Sequence, residues 1–167
     1  MVFSTIANGT LGERVRILST GGMTFNGDTA AANALDDYEE GTWTPVLLGS
    51  TTAGTMTGSS EGRYVKIGKM VYLTLRFTNV SFSGSAGTIK ISGLPFAQVS
   101  TNAYPSAAFG MTYGITFDNT RNQAWYIGGS VIEGIESQSN GSWVGMPSSN
   151  FHGSTKYINQ VICYEST

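Results

Sequence analysis

The residues able to do chemistry are few. The chain carries one histidine, His152, and one cysteine, Cys163. A structural zinc site draws its four ligands mainly from Cys and His, and an intrachain disulfide needs two cysteines, so neither is expected within one chain. Gly58-Ser59-Ser60-Glu61-Gly62 satisfies the Gly-x-Ser-x-Gly pattern of a nucleophile elbow. That elbow requires a buried strand before it, a helix after it, and a histidine and an acid to activate the serine. Here a Thr/Gly loop precedes the motif and an alternating strand follows, so no nucleophilic serine is expected. Glycoside hydrolysis needs two carboxyl groups flanking one sugar cleft. Asp118, Glu133 and Glu136 are the only acids between residues 100 and 164, and Glu133 and Glu136 differ in strand parity. The chain is expected not to be an enzyme and to carry no cofactor.

Asp36, Asp37, Glu39 and Glu40 form an acidic cluster that could attract calcium, which takes six to eight oxygen ligands. The spacing departs from the EF-hand loop. Solvation, or pairing with Arg14, Arg16 or Arg63 of a neighbouring chain, is the expected role, and no metal site is assigned.

Sugar recognition asks less of a sequence: an apolar platform and a few placed polar groups, carried on loops of a rigid scaffold. The tip Asp118–Gln123 and the late loop Ser137–His152 have that make-up. Asp118, Arg121, Asn140, Trp143, Phe151 and His152 are the candidate ligand-binding residues. Trp143 and Phe151 could instead pack into the domain or an interface. Trp125 and Tyr126 lie in a strand and are expected to pack. His152 is expected to be a hydrogen-bonded loop residue and Cys163 a small buried thiol.

The elements that must position these groups are strands. In Val71-Tyr72-Leu73-Thr74-Leu75-Arg76-Phe77-Thr78, the apolar residues at odd positions share one face, as in a half-buried strand. Arg63–Ile67 meets it across Gly68-Lys69, a Gly-first pair suited to a two-residue hairpin turn. Phe109–Phe117 alternates large apolar residues with Gly or Thr, and small residues on one face invite a close neighbour. Further strands are expected at Trp43–Leu48, Thr88–Ser92, Ala124–Ile127, Ser130–Glu136 and Lys156–Tyr164. About seven or eight short strands separated by Gly, Ser and Asn turns describe a β-sandwich of jelly-roll-like type. One short helix of about two turns is expected over Ala30–Leu35, capped by Asp28 or Thr29.

The chain has 167 residues, 40% hydrophobic and 12% charged, with a net charge of −2. The apolar content is enough for a core, while charge falls well below the roughly 25% of an average soluble domain. The nine basic residues are scattered, so neither nucleic acid nor an anionic membrane is an expected partner. No apolar run approaches the length of a membrane span, and Met1–Ser4 does not open a signal peptide. The Asn-x-Ser/Thr triplets at Asn8, Asn79 and Asn140 are taken as chance.

Two regions are expected: an extended segment, 1–41, with the possible short helix, and a β-sandwich domain, 42–167. Residues 1–41 hold apolar side chains in no pattern long enough to bury them within one chain. Val15, Ile17, Met23, Phe25 and Leu35 are therefore the candidate oligomerisation residues, and a closed cyclic assembly would cover them.

Gly12–Ile17, Gly22–Asp28 and Ala34–Pro45, the last containing Leu-Asp-Asp-Tyr-Glu-Glu-Gly-Thr-Trp-Thr-Pro, resemble the linker-to-tip segment of bacteriophage tail-fibre and tail-appendage proteins, marine ones especially. Gly62–Val71 and Ile91–Phe96 resemble the opening strands of the β-rich domain that follows in those proteins. The resemblance spans roughly residues 12–96, and the Leu35–Pro45 string is its most specific part. It implies a homotrimeric virion component, made in the host cytoplasm, with intertwined N-terminal segments and a C-terminal knob. The implied partners are other virion tail or fibre proteins and a host cell-surface glycan or protein. A purely architectural subunit, such as a head fibre, decoration or connector protein, is the alternative.

Overall fold

The structure is a computed structural model that describes residues 1–99, 106–108, 110–117, 120–138 and 141–167. It is mainly β. The strands are β1 (Val2–Ala7), β2 (Thr10–Ile17), β3 (Met23–Phe25), β4 (Tyr38–Trp43), β5 (Val46–Gly49), β6 (Thr55–Ile67), β7 (Met70–Ser83), β8 (Ile89–Ser92), β9 (Ser106–Ala108), β10 (Met111–Tyr113), β11 (Arg121–Gly128), β12 (Val131–Gln138), β13 (Trp143–Gly145) and β14 (Gly153–Glu165). They form a three-stranded sheet β1-β2-β3, a five-stranded sheet β10-β14-β7-β6-β4, and a six-stranded sheet β5-β8-β12-β11-β9 with β13 paired to β12. The chain divides into two compact units, Met1–Glu39 with Lys66–Lys69, and Glu40–Val65 with Met70–Thr167.

The second unit is organised by alternation. Val71, Leu73, Leu75 and Phe77 of β7 are buried as their spacing predicts, beside Ile158 and Ile162 of β14. They join Ile89, Ile91, Trp125, Ile127 and Ile132 of the six-stranded sheet in one apolar cluster. Each such side chain contributes roughly 1.5–3 kcal/mol when fully removed from water. The Gly68-Lys69 pair does turn the β6–β7 hairpin, with Gly68 at φ +56°. Past Phe77 the parity of β7 changes: the next buried residues are Val80 and Phe82. The cause is a bulge at Thr78–Asn79, where the register against β14 slips from Phe77↔Ile158 to Val80↔Lys156 and Asn79 takes φ +51°.

Several expectations require correction. Trp43–Leu48 is two strands in different sheets, because Pro45 has no N–H to donate to a ladder and separates β4 from β5. Phe109–Phe117 yields only the short β10. Gly114 at φ +76° ends it, Ile115 and Phe117 pack against the core, and Phe109 lies outside the described residues. The small-residue face was informative there: a Cβ on Gly110 would stand 2.0 Å from Asn159 O. Gly62 has a similar role, since a Cβ would stand 2.2 Å from Trp43 Nε1, which donates to Thr74 O at 3.2 Å. Cys163 is exposed rather than buried, because Ile162 and Tyr164 take the core positions of β14 and leave it on the outer face.

The extended chain of the first unit is paired into the three-stranded sheet β1-β2-β3. Asn8-Gly9, with φ +51° and +77°, closes the β1–β2 hairpin, both residues taking the positive φ that a two-residue turn of this kind requires. The expected two-turn helix shrinks to one 3₁₀ turn at Ala31–Asn33. Asp28 still anchors it, accepting from Ala30 N–H at 2.8 Å and Asn33 Nδ2 at 2.7 Å, which holds its carboxyl below the usual range. Ala30–Leu35 is too short to repay the nucleation of a longer helix, and Leu35 N–H is committed to Met23 O instead.

Candidate functional site

The expected oligomerisation residues come together. Val15 stands opposite Phe25, Ile17 opposite Met23, and Met23 opposite Leu35. Opposed residues of antiparallel strands share a face, so these five side chains, with Phe3 opposite Val15, line one side of the sheet. Ile17, Met23, Phe25 and Leu35 are exposed, and Thr24 is the only buried residue of 1–39. Its hydroxyl donates to Asp28 O at 2.6 Å, so even that buried position is polar rather than the seed of a core.

Of the acidic cluster, Asp37 pairs with Lys66 of its own chain. Arg16 grips Glu13 through two hydrogen bonds of 2.9 and 2.6 Å, which lowers the Glu13 carboxyl pKa. Among the described residues no group of three or more His, Cys, Asp or Glu side chains is placed to hold a metal.

In the second unit the described candidates Arg121, Trp143, Phe151 and His152 lie at the start of β11 and on the chain that follows β12. Trp125 is buried opposite Gly134, where a Cβ would meet the indole at 3.2 Å and Ile89 Cγ2 at 2.5 Å. Inward positions of β12 are therefore Ile132, Gly134 and Glu136, and outward ones include Glu133 and Ile135. Two environments result.

On the outer face, Tyr126 Oη donates to Glu133 Oε2 at 2.8 Å, and Lys90 Nζ pairs with Glu133 Oε1 at 2.9 Å. Trp143 sits beside Tyr126 with ring centroids 5.8 Å apart and remains 58% exposed. At the opposite face, where β11 begins, Arg121 Nη1 donates to Glu136 Oε1 at 2.7 Å. Thr116, Phe117, Arg121, Glu136, Pro147 and Asn150 surround a cavity of about 350 Å³ there.

Phe151, a candidate for stacking on a ligand, is fully buried against Trp125, with centroids 5.9 Å apart, and its ring is removed from any ligand-facing surface. His152 is hydrogen-bonded, Nε2 to Ser85 Oγ at 2.7 Å, and edge-on to Phe82 at 5.8 Å. The Gly58–Gly62 motif lies wholly within β6, with no turn into a helix. Asp118 and Asn140 lie outside the described residues. Glu136 differs in strand parity from Glu133, and that parity, visible in the sequence, is what turns it inward beside Arg121.

No family model matches the chain, and no curated protein matches it.

Proposed function

We propose that this chain is a structural protein of a bacteriophage virion: a homotrimeric tail-fibre or tail-appendage tip that takes part in attachment to the host surface. The observation that carries this reading is the first unit, a three-stranded sheet whose apolar side chains Val2, Phe3, Ile6, Leu11, Ile17, Met23, Phe25 and Leu35 remain exposed. A three-stranded sheet that leaves its apolar face open to water is marginal by itself, because that face contributes to stability only when covered. Three copies around an axis supply the missing apolar contacts, in the manner of closed homo-oligomers. The resemblance of residues 12–96 to fibre linker and tip segments supports the same assembly, with the second unit as a jelly-roll-like β-sandwich knob.

Recognition rather than pure architecture is favoured by Trp143. An indole 58% exposed beside Tyr126, with the Glu133–Lys90 pair below, offers the flat apolar surface and adjacent polar groups that suit a host glycan. The architectural alternative is favoured by a different observation: Tyr72, Met111, Tyr113 and Val161 are exposed on strands of the five-stranded sheet, a surface suited to another virion protein. Electron micrographs of virions labelled with antibody against this chain separate the readings. Label at the free ends of tail appendages is expected; label confined to heads or to internal joints would favour the architectural role, and unlabelled virions would overturn both.

A further inference from the structure

The outer face of the five-stranded sheet carries a trough of about 500 Å³, within the roughly 300–1,000 Å³ typical of small-molecule sites. Its position follows from the strand register. Arg76 of β7 stands opposite Asn159 of β14, and Thr74 opposite Val161, so these four side chains share the outward face. Glu61 and Arg63 of β6 line the trough beside them. Thr74 and Asn159 are short where the two arginines are long, which leaves a hollow over the sheet backbone. The floor is held from the inner side: Trp43 Nε1 donates to Thr74 O at 3.2 Å, and Gly110 N–H donates to Gln160 Oε1 at 2.6 Å. The polar walls are open to an incoming molecule, with the Glu61 side chain 67% and the Arg76 side chain 57% exposed.

The chemistry of these walls narrows the ligand. Two guanidiniums, of Arg63 and Arg76, stand with the single carboxylate of Glu61, so the trough is locally positive on a chain whose net charge is −2. The Arg76–Glu61 contact is long, 3.7 Å, and joins two exposed side chains. A surface pair of that kind contributes little, so Arg76 turns to an anion at small cost. Guanidinium forks match carboxylates through paired hydrogen bonds. A cation would meet both arginines. A small inorganic anion would leave Thr74, Asn159 and Val161 without a role, and a densely charged one would be pressed against Glu61. What fits is a molecule with one carboxylate, hydroxyls for Glu61, Thr74 and Asn159, and C–H groups for Val161.

We infer that this trough binds an acidic sugar residue, a uronate or a sialate, with Arg63 and Arg76 on its carboxylate and with Glu61, Thr74 and Asn159 on its hydroxyls. The inference rests on the attachment reading above and adds to Trp143 a second recognition surface, on the other sheet of the same unit.

Saturation-transfer NMR on the whole protein tests it, using glucuronate, galacturonate and N-acetylneuraminate beside the methyl glycosides of glucose and galactose, with inorganic phosphate and a tetraglutamate peptide as competitors. At least one acidic sugar is expected to give a saturable signal that weakens as salt is raised and that neither competitor displaces at equal concentration. Arg76→Met is expected to weaken that binding roughly tenfold, as loss of a charge-assisted hydrogen bond should. Arg63→Met is expected to do the same, and both side chains are exposed, so the melting temperature should hold. Glu61→Gln is expected to strengthen binding several-fold by removing the opposing charge, a sign that a merely structural role would not produce. Binding to none of the acidic sugars, equal binding of the neutral ones, displacement by phosphate or by the peptide, arginine variants that bind as the parent does, or a Glu61→Gln that binds no more tightly would each overturn the proposal. Adsorption to host cells and the labelling of virions separate the two failures: either of these without acidic-sugar binding sinks the trough alone, and acidic-sugar binding by a chain absent from virions sinks the attachment reading alone.

Discussion

Met23 and Leu35 exchange both of their backbone hydrogen bonds, Met23 N–H to Leu35 O at 2.9 Å and Leu35 N–H to Met23 O at 2.8 Å. The exchange folds the chain after β3 back along the sheet and adds Leu35 to the row already formed by Ile17 and Met23. An apolar face is thus extended by backbone pairing, although nothing in the unit covers it.

Phe25→Asp places a carboxylate on that face, at the end of the edge strand β3 and opposite Val15. Burying it without a partner costs far more than the phenyl contributes. Sedimentation velocity is expected to show the variant as a monomer. The strand signal in circular dichroism should be largely kept, because the second unit has its own core. An unchanged oligomer would mean that this face is not the interface.

Trp143→Ala separates recognition from folding. The side chain is exposed, so stability should change by no more than about 0.5 kcal/mol in urea unfolding. Adsorption of the protein to host cells is expected to fall at least several-fold. Wild-type adsorption in the variant would remove Trp143 from the attachment surface.

Phe151→Ala should behave in the opposite way. Its ring is packed in the core against Trp125, and truncation of a buried phenylalanine costs about 3–5 kcal/mol. A large loss in the urea midpoint is expected. A variant as stable as the parent would contradict the placement of Phe151 in the core.

The contrast between those two aromatics shows how far the sequence could be read. Both stand in one Ser/Asn/Gly-rich stretch, and nothing in their neighbours distinguishes an exposed indole from a buried phenyl. What divides them is tertiary: Trp143 lies on a short edge strand, whereas Phe151 ends a 3₁₀ turn that brings it to Trp125. Regular alternation was legible, hence Val71 to Phe77 and the hairpin at Gly68-Lys69. Alternation that breaks was not, and the bulge at Asn79 and the corner at Pro45 shift residues between faces or sheets with little local warning. Val15, Ile17, Met23, Phe25 and Leu35 were legible as a group because they belong to an apolar segment without a pattern that would bury them within one chain. Their common face depended on the Asn8-Gly9 hairpin and on the Met23–Leu35 pairing, which join residues distant in sequence. The Arg121–Glu136 contact likewise depends on the β11–β12 register, since the two residues stand fifteen positions apart.

Alkaline stability reports on the last strand. Tyr164 is buried and donates to Phe96 O at 2.9 Å, and burial raises its phenol from 10.0 to about 12. Because the folded pKa lies above the unfolded one, the unfolded chain ionises first as pH rises. The contribution is fully present below pH 10.0 and is lost as pH climbs through about 12. The urea midpoint is expected to fall across that window in the parent protein and to fall less in Tyr164→Phe. Equal declines would show that Tyr164 ionises as freely in the folded chain as in the unfolded one.

The mass of the protein in solution bears most directly on the central claim. One chain weighs 17.7 kDa. Light scattering coupled to size exclusion is expected to give about 53 kDa, three times 17.7 kDa, at micromolar concentration. A single species of 17.7 kDa that persists as the concentration is raised would contradict the trimer and, with it, the assembly role of the N-terminal sheet.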